Sequence, residues 1–167
     1  MKAPELIISK WLNATENLTL EKLKGKVIAI HAFQMLCPGC VIHGIPQAQR
    51  LFDTFNGEHV AILGLHSVFE HHEAMEEKSL RAFLSEFRIG FPVGIDEPAS
   101  HMIPQTMNLY QLRGTPSWLL IDRNGILRAN IFGQIDDVSL SVEVTRLAFE
   151  NTDNKTSINI FKKGRLP

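Results

Sequence analysis

Apolar residues along the chain are gathered into short runs, which polar and turn-forming residues separate. The run over residues 27–33 is almost entirely apolar and β-branched at its start, which is typical of a central strand buried on both faces. A second run, over residues 60–65, predicts another buried strand. Shorter apolar segments predict further strands at residues 6–11, 91–95, 117–121 and 126–132.

Between these runs, apolar residues recur at the spacing of a helix. The longest such segment covers residues 41–55, and Asn56-Gly57 should end it. Pro46 should kink this helix, because proline cannot donate a hydrogen bond to the carbonyl of Ile42. Other helices are predicted at residues 79–87 and 106–112 and from Asp136 or Asp137 to about residue 150, with a helical turn at residues 17–23 and a loop at residues 96–105.

The order of these elements predicts an α/β fold. Early strand–helix–strand units imply parallel strands that are joined by helical crossovers. The turn residues Asp122-Arg123-Asn124-Gly125 stand between two apolar runs and predict a hairpin, which adds an antiparallel edge. We therefore expect a mixed central β-sheet with helices on both faces in a single domain, residues 1–167, with its core at about residues 18–150 and a polar, then basic, tail at residues 151–167.

Composition narrows the possible functions. The chain has 167 residues, of which 44% are hydrophobic and 21% charged, so it is long enough for one ordinary core. A formal net charge of −1 provides no basic footprint for nucleic acid. No apolar run approaches the roughly 18 residues of a membrane span, and the N-terminus lacks the apolar region of a signal peptide. The expected location is the cytoplasm, or the periplasm if a leader has been removed.

The two cysteines, Cys37 and Cys40, stand two residues apart between a predicted strand and a predicted helix. This arrangement is typical of a thiol–disulfide redox centre. Pro38 fits the first helical position, where its missing N–H costs nothing. At a helix start, free backbone N–H groups and the helix dipole would stabilise a thiolate, so Cys37 should be the exposed nucleophile and Cys40 the shielded, resolving cysteine. A structural disulfide or half of a zinc site are the alternatives, although zinc would need two further ligands.

Three motifs carry a resemblance to a known family: Gly25-Lys26 before the strand that leads to Cys37-Pro38-Gly39-Cys40, then Gly114-Thr115-Pro116, then Leu120-Ile121-Asp122-Arg123-Asn124-Gly125. Together they resemble the thioredoxin superfamily, and within it the TlpA/ResA-like thiol–disulfide oxidoreductases, which are related to the AhpC/TSA redoxins. The resemblance covers about residues 18–148. It implies a thioredoxin-like three-layer sandwich in which the segment between Ala61 and Phe91 corresponds to the family's insertion.

The same resemblance implies the chemistry. It implies a redox-active disulfide between Cys37 and Cys40 with no other cofactor, and a cis peptide bond before Pro116 that faces the dithiol. The expected substrate-binding residues are Leu36, Pro38, Gly39, Thr115 and Pro116. The implied partners are a protein or small-molecule disulfide and an upstream thiol reductant or oxidant.

The sequence departs from the family pattern around the cysteines. Leu36 stands where most members have tryptophan, and Pro38-Gly39 places the proline first rather than second. His31 occupies the position of the buried acid of thioredoxins, and His43 the position of a frequent glutamate. Because the second thiol needs a base, we hypothesise that His31 or His43 accepts its proton. The alternatives are a core histidine that hydrogen-bonds the backbone, for His31, and an ordinary surface residue, for His43.

A run rich in histidine and glutamate covers residues 66–73. Several of its side chains are competent metal ligands: His66, Glu70, His71 and His72. Adjacent histidines point in different directions, however, and the spacing matches no strong metal motif. A solvated polar loop without metal is therefore the preferred interpretation.

Two other functions remain open at this level. A peroxiredoxin-like thiol peroxidase shares the fold, and its peroxidatic cysteine would align with Cys40. However, neither threonine nor serine stands at position 37, and Pro116 takes the usual place of an arginine. The other alternative is a non-enzymatic module that binds a partner through residues 66–89 and uses the dithiol as a redox sensor.

Overall fold

A computed structural model describes residues 1–55, 57–100 and 102–150. Its strands are β1 (Ile8–Leu12), β2 (Val27–Phe33), β3 (Val60–His66), β4 (Val93–Asp96), β5 (Ser117–Ile121) and β6 (Leu127–Phe132). Its helices are α1 (Ile45–Phe55), α2 (Glu77–Glu86), α3 (Gln105–Leu109) and α4 (Asp137–Phe149). None of the described helices combines enough length with enough apolar character to pass through a lipid bilayer.

The strands form a mixed sheet in the order β1-β4-β3-β2-β5-β6. β2 pairs in parallel with β3 and antiparallel with β5, and all seven of its residues are buried. β3 continues in parallel to β4, while β1 and β6 close the two edges in antiparallel pairing. The predicted parallel centre and antiparallel hairpin edge are confirmed, and so is the buried strand over residues 27–33.

Apolar side chains cover both faces of the sheet, because successive residues of a strand point to opposite sides. On one face, Ala29 and Phe33 pack in a cluster with residues of α1, α2 and α4. On the other face, Ile28 and Ile30 pack with residues of α3 and of the segments around Leu20 and Leu112. Two covered faces make the sheet the middle of three layers, as the sequence predicts.

The predicted bounds of β2 and β5 are exact, and those of the other elements differ from the observed ones by up to four residues. One of these differences corrects a prediction: His66, which the pattern assigns to a polar segment, is the last residue of β3 and is only 1% exposed. The predicted cap of the last helix is confirmed at Asp136, whose side chain accepts a hydrogen bond from the Ser139 N–H. Asn56 and the tail at residues 151–167 lie outside the described residues.

The helix that follows the cysteines has an irregular first part. Its first bond runs from the Val41 N–H to the Cys37 carbonyl, at 3.0 Å. A π-helical turn, Cys40–Gly44, comes next and is closed by a bond from the Ile45 N–H to the Cys40 carbonyl. Regular α1 begins only after that turn, so the distortion predicted at Pro46 lies just before the proline. A π-turn is a local widening of the helix, and such turns are frequent at functional sites.

Candidate active site

The loop between β2 and the cysteines is held by the buried side chain of Gln34. Its Oε1 accepts a hydrogen bond from the Phe69 N–H at 3.1 Å, and its own carbonyl accepts one from the Cys37 N–H at 3.2 Å. Gln34 itself is 1% exposed. The side chain of Gln34 thus binds the segment after β3 while its backbone carbonyl binds Cys37, which fixes where the first cysteine leaves the sheet.

The two sulfurs have different surroundings, although they are only one helical turn apart. Both cysteines are free thiols; Cys37 is half-buried and Cys40 is fully buried. The Cys40 N–H donates to the Cys37 Sγ at 3.3 Å. Burial, together with a hydrogen bond that the Cys40 thiol donates to Cys37, raises the pKa of Cys40 to about 12. The accessible Cys37 sulfur therefore accepts a hydrogen bond from a backbone N–H, whereas the buried Cys40 sulfur stays protonated.

Pro116 faces the dithiol from the loop before β5. The Thr115–Pro116 peptide bond is cis, as the resemblance implies. A Cβ added at Gly39 would lie 3.4 Å from the Pro116 Cδ, so the proline ring packs against the middle of the cysteine motif. The Cys37 Sγ lies 3.6 Å from the Thr115 carbonyl oxygen. The structure thus brings Cys37, Gly39, Thr115 and Pro116 together at one edge of the sheet.

Exposed apolar side chains surround this edge. Leu36, which precedes the first cysteine, is 56% exposed, and Ile42 on the π-turn is 65% exposed. Phe132 packs against Gly114 beside the proline loop, and the Arg113 guanidinium lies 5.0 Å from the centre of its ring. We call the exposed apolar side chains of Leu36, Ile42 and Phe132 the apolar rim.

His31 lies in the core below the π-turn. Its ring stacks on Trp118 and Phe33, with centroids 4.9 and 5.9 Å away, and a Cβ on Gly44 would lie 2.3 Å from two of its atoms. Neither ring nitrogen has a hydrogen-bond partner among the described residues. Burial lowers the pKa of His31 to about 4; the nearby Ser117 backbone opposes this shift without reaching hydrogen-bond geometry. The imidazole is therefore neutral at pH 7.

His43 is exposed on the π-turn. It lines a surface cavity of about 290 Å³ with Gln47, Gln134 and Asp137. Among the described residues, no hydrogen bond joins His43 or His31 to either sulfur. The two histidines thus lie on opposite sides of the same turn, one inside and one outside.

Gln47 is a site residue that the sequence pattern does not reveal. Its Nε2 donates to the Ile135 carbonyl at 3.0 Å and to Asp137 Oδ1 at 2.8 Å, while its Oε1 accepts from Trp118 Nε1 at 3.1 Å. These bonds tie α1 to β5 and to the start of α4. A glutamine on an amphipathic helix is usually a surface residue. The signal available was its position four residues before Leu51, on the buried face.

The histidine-rich run at residues 66–73 is not a uniformly solvated loop, because His66 is buried at the end of β3. Residues His72–Ala74 form a short 3₁₀ turn that is outside the core. Within the described part of the chain, no group of three or more histidine, cysteine or acidic side chains is arranged to hold a metal ion.

Solved structures resemble the chain over most of its length. A thioredoxin-like superfamily protein is 58% identical, with a TM-score of 0.88, over 90% of this chain and 98% of its own. A thiol-disulfide isomerase from Corynebacterium glutamicum is 47% identical, with a TM-score of 0.86, over 89% of this chain and 97% of its own. StoA from Bacillus subtilis, at 18% identity and a TM-score of 0.67 over 85% of this chain and 96% of its own, shares the fold. No protein-family model matches the sequence, and no curated protein sequence does.

The fold, the facing proline loop and this degree of identity define a thioredoxin-like protein. The chain belongs to the thioredoxin-like superfamily and is a thiol–disulfide oxidoreductase. The peroxidase alternative fits poorly, because a peroxidatic sulfur must be an accessible thiolate, whereas Cys40 is fully buried and its pKa is raised.

Proposed function

We propose that Cys37 and Cys40 are the redox-active pair of this oxidoreductase, with Cys37 as the nucleophile and Cys40 as the resolving cysteine. The observation that supports this assignment best is the contrast between the two sulfurs. Cys37 is half-buried at a helix start and its Sγ faces the Cys40 N–H, whereas Cys40 is fully buried and protonated. A thiolate attacks disulfides, so the sulfur with access and a donor attacks first.

The reduction of a substrate disulfide then takes two exchanges. The Cys37 thiolate attacks one substrate sulfur, the substrate S–S bond breaks, and the second substrate sulfur leaves as a thiolate that takes up a proton. Cys40 then loses its proton and attacks the Cys37 Sγ, which breaks the mixed disulfide and releases the first substrate sulfur. The pair gives up two electrons and becomes a disulfide, and a partner thiol reductant restores it. The reverse sequence oxidises a substrate dithiol.

We infer that a disulfide of a protein or small molecule binds along Thr115 and Pro116. The apolar rim, with Leu36 on the cysteine side, favours an extended polypeptide, since such a segment offers both backbone groups and apolar side chains. Pro38 is exposed and Gly39 is half-buried, so both would line the bound segment. The pair itself carries the electrons, so this proposal requires no further cofactor. The cytoplasmic location stays a prediction from the sequence.

The proton of Cys40 is the difficult part of this cycle, because its thiol is held near pKa 12. We propose His31 or His43 as the group that assists its removal. His31 is neutral and has a free nitrogen lone pair in either tautomer, but it is a weak base. His43 is exposed and could act through solvent.

Insulin reduction and trapping of the mixed disulfide test the proposed pair. Cys37→Ser should abolish insulin reduction, while Cys40→Ser should accumulate a covalent adduct with the substrate that dithiothreitol releases on a gel. A matched control tests whether any exposed thiol can replace Cys37. Ser85 is exposed on α2, and Cys37→Ser combined with Ser85→Cys should stay inactive because the new thiol is not part of the cysteine pair. Full activity of Cys37→Ser, or equal trapping by the two single variants, would refute the assignment.

A further inference from the structure

A cavity of about 440 Å³ opens at the sheet edge where β1, β3 and β4 end or begin. Its wall includes His66, Val68, Met75, Ile95, Asp96 and Ala99. Neither cysteine nor the Thr115–Pro116 loop lines it, so it is separate from the dithiol. Its volume lies in the range of small-molecule sites in proteins.

His66 lines this cavity and has a ring nitrogen without a hydrogen-bond partner among the described residues. It is 1% exposed, and its Nε2 has no hydrogen-bond partner among the described residues. Burial lowers the pKa of His66 to about 4, so the ring is neutral at pH 7. A buried polar atom without a partner destabilises a protein, and such an atom in a native structure calls for an explanation.

Asp96, the other buried polar wall residue, provides the contrast. It accepts hydrogen bonds from Ser67 Oγ at 2.8 Å, from the Thr106 N–H at 2.7 Å and from the Met107 N–H at 3.0 Å. Its carboxylate is therefore fully engaged within the protein. Of these two buried wall residues, only His66 lacks a hydrogen-bond partner within the described residues, so it is the one that can pair with a molecule in the cavity.

The remaining wall disfavours ligands of either charge. Val68, Met75 and Ile95 make it largely apolar. Among the charged residues at the cavity, Lys10 is paired with Glu77 at 2.8 Å, which leaves the carboxylates of Glu76 and Asp96 without a matching cation. An anionic ligand would be repelled, and an apolar wall disfavours a strongly hydrated cation.

We propose that this cavity binds a small uncharged organic molecule with an aromatic or branched aliphatic body and one hydroxyl or amide group, which pairs with the His66 imidazole. A neutral imidazole has one donor and one acceptor nitrogen, and a hydroxyl or amide can satisfy whichever of them is free. The apolar body replaces water along the aliphatic wall. This site is independent of the dithiol chemistry proposed above.

Titration of the reduced, ¹⁵N-labelled protein with 4-methylphenol tests the proposal by NMR. Saturable shifts are expected at the amides of Val68, Met75 and Ile95. Toluene has the same body without the hydroxyl, and 4-methylbenzoate adds a negative charge. Toluene should lose about five-fold in affinity relative to 4-methylphenol through the missing hydrogen bond, and 4-methylbenzoate about ten-fold or more.

Variants separate the cavity from nonspecific binding. Ala99→Trp should block the cavity and weaken 4-methylphenol binding at least ten-fold, whereas Ser100→Trp, at an exposed neighbour that does not line it, should not. His66→Phe should abolish the five-fold preference for the hydroxyl. The proposal fails if 4-methylphenol gives no saturable shifts, if Ala99→Trp binds as tightly as the wild type, or if a folded His66→Phe variant keeps the preference.

Discussion

The ring of Pro116 lies against Gly39, with only 3.4 Å between its Cδ and the point where a Cβ at position 39 would stand. One residue belongs to the start of the helix after β2 and the other to the loop before β5, so this contact joins the two halves of the dithiol site. A side chain larger than hydrogen at position 39 would project into the groove that we propose for the substrate.

Gly39→Ala should therefore raise the stability of the protein and lower its activity. Gly39 has helical dihedrals, φ −62° and ψ −34°, so alanine should raise the free energy of unfolding by up to about 0.5–1 kcal/mol. The added methyl group should at the same time slow insulin reduction, and Gly39→Val should slow it further. Urea unfolding and the insulin assay provide the two measurements. Unchanged insulin rates in both variants would show that the groove does not run over this residue.

Gly44→Ala should destabilise the protein through a clash inside the core. A Cβ there would lie 2.3 Å from the Cε1 and Nε2 of His31, whose ring is held by Trp118. We expect a loss of about 1–3 kcal/mol, as for other overpacked cores. Gly90→Ala is the matched control, since its Cβ would make an ordinary contact at 3.4 Å with Phe52.

The same substitution in a His31→Ala background should cost clearly less, because the opposing ring is gone. A double-mutant cycle from urea denaturation measures this coupling. If the losses in the free energy of unfolding are strictly additive, the His31 ring is not what opposes a side chain at position 44.

Removal of the histidine proposed as the base for Cys40 should change how the reduction rate depends on pH. Without it, resolution depends on spontaneous loss of a proton from a thiol with a pKa of about 12, so the rate should climb steadily from pH 5 to pH 9. We expect His31→Ala or His43→Ala to slow resolution about ten-fold or more at pH 7, measured by rapid quench of the mixed disulfide. If both variants keep the wild-type rate across this range, the histidine hypothesis is wrong.

Two neutral, buried histidines should make the fold sensitive to acid. The pKa values of His31 and His66 are lowered by burial from 6.5 to about 4, so the unfolded chain binds more protons between these pH values. The free energy of unfolding should therefore be highest above pH 6.5 and fall as the pH drops to about 4, by up to about 3 kcal/mol for each histidine. His66→Phe should flatten this dependence, because it removes one of the two buried imidazoles. A profile of equal slope in wild type and His66→Phe would contradict the assignment.

Much of the fold could be predicted from the sequence because its elements depend on local patterns. The unbroken apolar run at residues 27–33 needs burial on both faces, and the turn residues before Gly125 permit only a tight reversal. The cysteine pair and the Gly114-Thr115-Pro116 motif likewise predicted the part of the candidate site where the dithiol faces the cis proline. These features are carried by short stretches, each of which can be interpreted alone.

Other parts depend on contacts between distant residues, which a single sequence does not display. His66 precedes a run of histidines and glutamates, so the sequence pattern assigns it to a polar segment. Its burial follows from the pairing of β3 with β2, in which His66 lies opposite Phe33. The His31 ring lies against Gly44 of the π-turn, although the two residues are 13 positions apart in the sequence. The cavity at the sheet edge is formed by separate segments, none of which carries a motif for it.

Trp118 has a further consequence for the study of this protein. Its indole is 1% exposed, donates to Gln47 on α1, and belongs to the same apolar cluster as both sulfurs. The second tryptophan, Trp11, lies on β1, four strands away across the sheet. The chain thus contains an intrinsic fluorophore in the same apolar cluster as the two sulfurs, and we expect its emission to report oxidation of the proposed pair without any attached dye.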